Sequence, residues 1–256
     1  MSGELEAIAR KLEAEGQVLE AKAVRVVQAA YGRLRLVDLL ALLEALTARD
    51  TSTLRIAGLD QLLGAFDRGV QTLKTPPPEM TALLQSAVES GIGAGSAMLK
   101  AGGLELDAFR VPPELQSQFV ERSTARFVQY WGIERTRYLA AVQSSLLEGL
   151  DRGSGAADVA AQIRNRTGES KTRSLLIART ELGRASSYAS QQTQQHAGLT
   201  EFVWRATKDK RTRDTHRARD GRIYRWDEPP GGELPGQPFN CRCVALAVIP
   251  EDGGPP

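Results

Sequence analysis

The chain has 256 residues, 41% hydrophobic and 25% charged, with 33 basic and 31 acidic side chains for a formal net charge of +2. This suits one large or two smaller soluble domains with a sizeable core. The near-balance of charge excludes a surface that seeks polyanions everywhere, so any nucleic-acid role must come from local clustering.

The start, MSGELEAIARKLEAEG, is polar and helical and has no apolar h-region, so neither a secretory signal nor a transit peptide is expected. No apolar run approaches the ~18 residues of a membrane span. Two cysteines make no disulfide framework, and the expected setting is a reducing cytoplasm.

Helical spacing dominates the first two hundred residues. Leu12, Leu19, Ala23, Val26 and Ala30 form one stripe, and Leu36, Leu39, Leu40, Leu43 and Leu46 a second. A third run, with Leu59, Leu62, Leu63, Phe66, Val70 and Leu73, ends at TPPPE. There the prolines stop a helix, and Pro78-Glu79 suits a new N-terminus. The next stripe passes through Leu84, Val88, Gly91, Gly95 and Leu99. Its GIGAG stretch predicts close helix–helix approach ahead of a hinge.

AGGLELDAFRVPPEL reads as a linker. Pro113 to Leu150 reads as one long helix with Phe127, Trp131, Tyr138, Val142 and Leu146 as core. After the break at DRGSG, a short helix is expected over Ala157–Arg166. TGES interrupts it, and a further helix runs from Lys171 to His196, closed by Gly198. Its stripe of Leu175, Ala178, Leu182, Ala185 and Ala189 is small and suits tight packing.

Beyond Gly198, EFVWRAT, GRIYRW and CRCVALAVIP read as strands, and EPPGGELPGQP as an irregular loop. The predicted fold is therefore mainly α, a long-helix N-terminal region with a small C-terminal α+β module. The expected divisions are 1–152, 153–250 and a frayed tail at 251–256.

The chemistry concentrates late. Between Trp204 and Trp226 stand nine basic residues (Arg205, Lys208, Lys210, Arg211, Arg213, Arg217, Arg219, Arg222, Arg225) against three aspartates. Such a loop neutralises phosphates without reading sequence. A protein partner or plain solvation are the alternatives. Trp204, Tyr224 and Trp226 flank the loop, where aromatics either stack on bases or form core; for Trp204 core is expected. Asp220-Gly221 reads as a turn into the following strand.

His216, Cys241 and Cys243 are three zinc-type donors in a loop-rich module, short of the four that a structural site needs. Asp, His196 or water would supply the fourth. A packed turn with a hydrogen-bonded histidine, and a disulfide closing a small strained ring, are the other readings of the cysteines. His196 at a helix end complements the dipole. No phosphate loop, HExxH or paired-carboxylate signature is present. Arg179 and Glu181, two apart on a helix, make a poor catalytic pair. His216 with Asp220 is the one acid–base couple to weigh, as in a zinc-dependent nuclease or toxin-like hydrolase.

The ordered set IARTELGRASSYASQQ, FVWRATKDKRTRDTHRARDGRIY and PGQPFNCRC resembles the C-terminal domain of phage Mu F-like minor head proteins, the head morphogenesis family of tailed phages. The resemblance covers roughly Ala157 to Val248. It implies a non-enzymatic virion component of the head interior near the portal, assembled in the host cytoplasm. The implied partners are the portal protein, major head or scaffold proteins and non-specifically held double-stranded DNA, with no membrane. Carried onto this chain, the motif positions are Arg179, Glu181, Trp204, Arg213, His216, Asp220, Gly221, Asn240, Cys241, Arg242 and Cys243. The chain departs from cysteine-rich relatives at Arg213–His216, where they carry Cys-x-x-Cys, and at Pro238, where they carry histidine. Zinc is the one cofactor that the resemblance brings up.

Overall fold

The computed structural model of the chain describes residues 2–34, 61, 63–68, 70–104, 110–152, 154 and 156–250. The expected helix through Leu36–Leu46, the centre of the linker and the terminal tail lie outside the described residues. The fold is mainly α. Helices α1 (Ser2–Gly32), α2 (Glu79–Ala101), α3 (Pro113–Asp151) and α4 (Ala156–His196) precede β1 (Glu201–Arg205), α5 (Asp214–Arg219), β2 (Ile223–Arg225) and β3 (Val244–Ala247).

By compactness the chain forms two units interleaved in sequence. One is Met1–Ala23, Glu79–Arg126 and Ala178–Pro256; the other is Val24–Pro78 and Phe127–Ile177.

In the second unit the aromatic stripe of α3 is core as expected. Phe127, Trp131, Tyr138, Val142 and Leu146 are all buried. The polar tips of the buried rings find partners, as burial demands. The Trp131 indole N–H donates to the Leu73 carbonyl at 3.0 Å, the Tyr138 hydroxyl meets Thr167 Oγ1 at 2.9 Å, and the Tyr31 hydroxyl meets Ser170 and Ser174 at 2.6 and 2.8 Å. Tyr31 joins this core because the stripe of α1 runs through Val27 rather than Val26, Val27 being fully buried and Val26 half-buried. Burial, above all, pushes the Tyr138 phenol up to about 12.

The predicted break at TGES does not occur, for α4 is continuous from Ala156 to His196. Gly168 costs roughly 1 kcal/mol against alanine, but nothing else in the segment opposes a helix. Thr167 and Thr172 donate back to the Ile163 and Gly168 carbonyls, and Ile163, Ser170 and Ser174 keep one face buried.

The first unit carries the sheet. β1 is the centre of the order β2-β1-β3 and pairs antiparallel with both neighbours, Phe202 opposite Tyr224 on one side and Ala247 on the other. All three predicted strands are present. β1 alternates as its sequence reads, with Phe202 and Trp204 fully buried.

One core cluster joins Leu5, Ala9 and Leu12 of α1 with Met98 and Leu99 of α2, Leu199, and Val244, Leu246 and Ala247 of β3. The GIGAG stretch serves close packing. A Cβ on Gly91 would overlap the Ser186 carbonyl of α4, and one on Gly95 would come within 2.7 Å of the Thr193 side chain. At the end of α4, Gly198 takes φ +84°, its N–H bonds the Gln195 carbonyl at 2.9 Å, and the Leu199 N–H returns to Gln194 at 3.2 Å. That is the predicted glycine C-cap, and it turns the chain into β1.

Candidate functional site

Trp204 is the anchor of the site. Its period-2 position on β1 sends the ring inward to a small core of Phe202, Ala206, Cys241, Cys243 and Ala245. The His216 ring meets it edge-on at 5.2 Å, and the Arg219 guanidinium lies over its face at 4.9 Å. Trp204 is therefore core. Tyr224 and Trp226 are half-buried, Trp226 against Phe202 at 4.3 Å.

The basic segment is not the continuous loop that its composition suggests. Asp214–Arg219 forms the short helix α5. It lacks an apolar stripe because one turn of helix needs only one inward residue, and that residue is His216, which is 2% exposed. Asp220 then turns the chain, with Gly221 at φ +74° and its N–H on the Trp204 carbonyl at 2.8 Å. Asp220 Oδ1 accepts from the Ala206 N–H at 2.8 Å and Oδ2 pairs with Lys208 at 2.7 Å. No hydrogen bond joins Asp220 to His216 among the described residues.

On the far side of the chain, Asn240 takes a left-handed φ of +56° and its N–H donates to Thr180 Oγ1 at 3.2 Å. This turn brings Cys241 and Cys243 under α5. His216 Nδ1 stands 3.5 Å from each sulfur, and the three donor atoms lie within 4.8 Å of one another. All three residues are buried.

The Cys241 thiol is brought down to about 6, first by the S–H of Cys243 and then, against burial, by the N–H groups of Cys243 and Gly236. Cys243, the donor of that pair, is pushed up by the same bond and by burial. Two sulfurs and an imidazole form a soft donor set that fits zinc, and His216, Cys241 and Cys243 are the residues that would hold it. His196 is exposed at the end of α4 and is not part of this group.

Two residues of the site carry no sequence signal of their own. Glu233, in the Pro/Gly loop, has its carboxylate 3.5 Å from His216 Nε2 and 2.6 Å from Arg219. The hydrogen bond from Arg219 holds that carboxyl below the usual range. Arg184 on α4 donates to the Gln237 carbonyl at 2.6 Å and to Glu181 at 2.7 Å. With Gln191 on the Pro235 carbonyl at 2.7 Å, it ties the loop to the helix.

Arg179 and Glu181 point to different partners, as their spacing requires. Arg179 pairs with Glu20 at 2.9 Å, and buried Glu181 takes Arg126 and Arg184. Arg242 pairs with Asp209.

The outward basic face consists of Lys208, Lys210, Arg211, Arg213, Arg217 and Arg222, all exposed. Arg213 caps the Phe239 carbonyl at 2.8 Å, Arg211 faces Asp209 at 3.7 Å, and Arg217 reaches the Asp209 and Thr212 carbonyls at 3.4 Å. Among the described residues, Lys210 and Arg222 have no side-chain partner. Arg219, by contrast, is turned to Glu233 and Trp204.

Residues 140–246 match the family model described as Phage Mu protein F like protein. Over this stretch the chain is similar to the phage Mu protein F-like proteins. The Mu F-like stretch takes in α4, the basic segment and the paired cysteines, and ends within β3.

Three curated proteins are similar to it over part of their length. A Haemophilus influenzae protein described as uncharacterized is 32% identical over 149 residues, 57% of this chain and 33% of its own. The NAD(+)–arginine ADP-ribosyltransferase EFV of Enterococcus faecalis is 33% identical over 123 residues, 42% of this chain and 25% of the enzyme. The minor head protein GP7 of Bacillus phage SPP1 is 31% identical over 131 residues, 45% of this chain and 42% of that protein. The chain thus spans between a quarter and about two fifths of these relatives' lengths. No solved structure matches it significantly.

Proposed function

We propose that the chain is a non-enzymatic minor head component of a tailed phage. It resides in the head interior near the portal, associates with the portal protein and with major head or scaffold proteins, and touches packaged DNA through its basic face. The observation that carries this reading is the Mu F-like match over residues 140–246, together with the likeness to a phage minor head protein. The basic face of that same stretch supports a polyanion partner. Lys210 and Arg222, without a side-chain partner among the described residues, can meet phosphates, and the others keep their charge at the surface while bonding backbone carbonyls or single carboxylates.

The test is to recover heads assembled with and without the chain and to measure whether it co-sediments with them and with the purified portal protein. Presence in heads and a portal complex are expected. Absence from both sinks the proposal.

A second reading, a zinc-dependent nuclease using His216 and Asp220, draws on the buried soft donor set. Asp220 is engaged with Ala206 and Lys208 rather than with His216. The likeness to an ADP-ribosyltransferase covers a quarter of that enzyme and lends this chain no substrate. Plasmid nicking that needs a divalent metal and disappears in His216→Ala would favour the enzyme.

A further inference from the structure

We infer that His216, Cys241 and Cys243 bind a thiophilic divalent cation of the zinc type through Nδ1 and the two sulfurs, and that Glu233 holds the imidazole from its other side. Zinc–sulfur and zinc–nitrogen bonds of about 2.3 and 2.0–2.1 Å at a tetrahedral angle separate nitrogen from sulfur by about 3.6 Å. The observed separation is 3.5 Å to each of the two sulfurs. A single imidazole nitrogen cannot accept from both thiols with good geometry, but it can share one cation with both. The donors come from α5 and from the loop before β3, 25 and 27 positions apart in sequence, so their convergence is made by the fold.

The second observation is on the far edge of the ring. With Nδ1 given to a cation, Nε2 carries the proton. Nε2 is buried and has no hydrogen-bond partner among the described residues, and the carboxylate it faces is that of Glu233, at 3.5 Å. Arg219 pins that carboxylate at 2.6 Å. A carboxylate behind a ligating histidine is the usual arrangement for fixing tautomer and ring orientation.

The third observation is the wall. A small polar hollow beside the cluster is lined by the three donors, by Thr207, Asp209 and Asn240, and by arginines that include Arg213 and Arg242. The backbone N–H of Cys243 points at the Cys241 sulfur at 3.5 Å, as suits a thiolate.

The test uses the full chain, reduced and freed of metal, titrated with zinc against a chromophoric chelator and with cobalt as a spectroscopic probe. One zinc per chain and thiolate-to-cobalt charge-transfer absorption are expected, both lost in Cys243→Ser. Because that variant removes a buried side chain, Glu233→Gln serves as the second. It lies outside the ligand set, leaves a neutral amide of the same shape on a part-exposed side chain, and is expected to weaken zinc affinity ten- to a hundredfold while circular dichroism stays that of wild type. Folded wild-type protein that takes up no zinc and shows no charge-transfer band overturns the site. So does zinc that binds equally well to Cys243→Ser, or a Cys241–Cys243 disulfide whose reduction brings no metal uptake. Unchanged affinity in Glu233→Gln overturns the role of Glu233.

Discussion

Gly91 of α2 lies directly against the Ser186 carbonyl of α4, with no room for a Cβ, whereas Gly93, two residues on, has nothing within 4 Å. The two glycines therefore answer the same substitution in opposite ways. Gly91→Ala forces the helices apart and is expected to destabilise the protein by roughly 1–3 kcal/mol. Gly93→Ala gains helix propensity and stabilises by roughly 0.5–1 kcal/mol. Urea unfolding of the two variants checks the pair. Equal effects would mean that the helices do not approach this closely.

Alkali should loosen the second unit through Tyr138. Its phenol is raised from 10.0 to about 12 by burial, so the folded state holds the proton more tightly than the unfolded chain. Stability from this group is full below pH 10 and is lost as pH rises towards 12, by about 1.4 kcal/mol per pH unit. Tyr138→Phe, which keeps the ring and removes the proton, should flatten that part of the stability profile. A profile identical to wild type would remove Tyr138 as the cause.

Arg219 and Arg222, three positions apart, are expected to separate folding from polyanion binding. Arg219 covers Trp204 and pairs with Glu233. Arg219→Gln should lower the unfolding midpoint and leave the salt dependence of duplex binding nearly intact. Arg222→Gln combined with Lys210→Gln should leave the midpoint in place. For B-DNA, each phosphate that is no longer neutralised should reduce the logarithmic salt slope by roughly 0.9. Fluorescence anisotropy with a random-sequence duplex at several salt concentrations reads the difference. A slope insensitive to the double substitution would move the partner to another surface.

Asp220 is expected to act as a structural brace. Replacing it with alanine leaves the Ala206 N–H without its acceptor and should cost roughly 1–3 kcal/mol. Asn at the same place keeps an acceptor and should recover most of the loss. Thermal unfolding of the two variants decides. A stable Asp220→Ala protein would mean that Ala206 finds water instead.

The sequence made the regular pieces readable where one period dominated. Phe202 and Trp204 alternate with Val203 and Arg205, and Phe127, Trp131 and Tyr138 recur on one helical face. It hid α4's continuity because Thr167, Gly168 and Ser170 have loop-like composition, and only back-bonded hydroxyls and buried neighbours keep the segment helical. It hid α5 because an arginine-rich turn with one inward histidine has no period at all. His216, Cys241 and Cys243 were legible as donor types, but their meeting depends on the turn at Asn240. Glu233 was illegible because nothing in a Pro/Gly loop says which carboxylate will face the ring of His216. The interleaving of the two units is set by long-range burial that no local pattern encodes.

That interleaving fixes a timetable for the newborn chain. Leu5, Ala9 and Leu12 share their core with Met98 and Leu99 of α2 and with Val244, Leu246 and Ala247, made far later in the chain. At about 5–20 residues per second on the ribosome, the first helix waits roughly ten to fifty seconds before the strand that covers it exists. Every segment of the second unit, by contrast, has been synthesised by Ile177. Through that interval the apolar face of α1 lacks its strand partner and is open to chaperones, proteases and neighbouring chains.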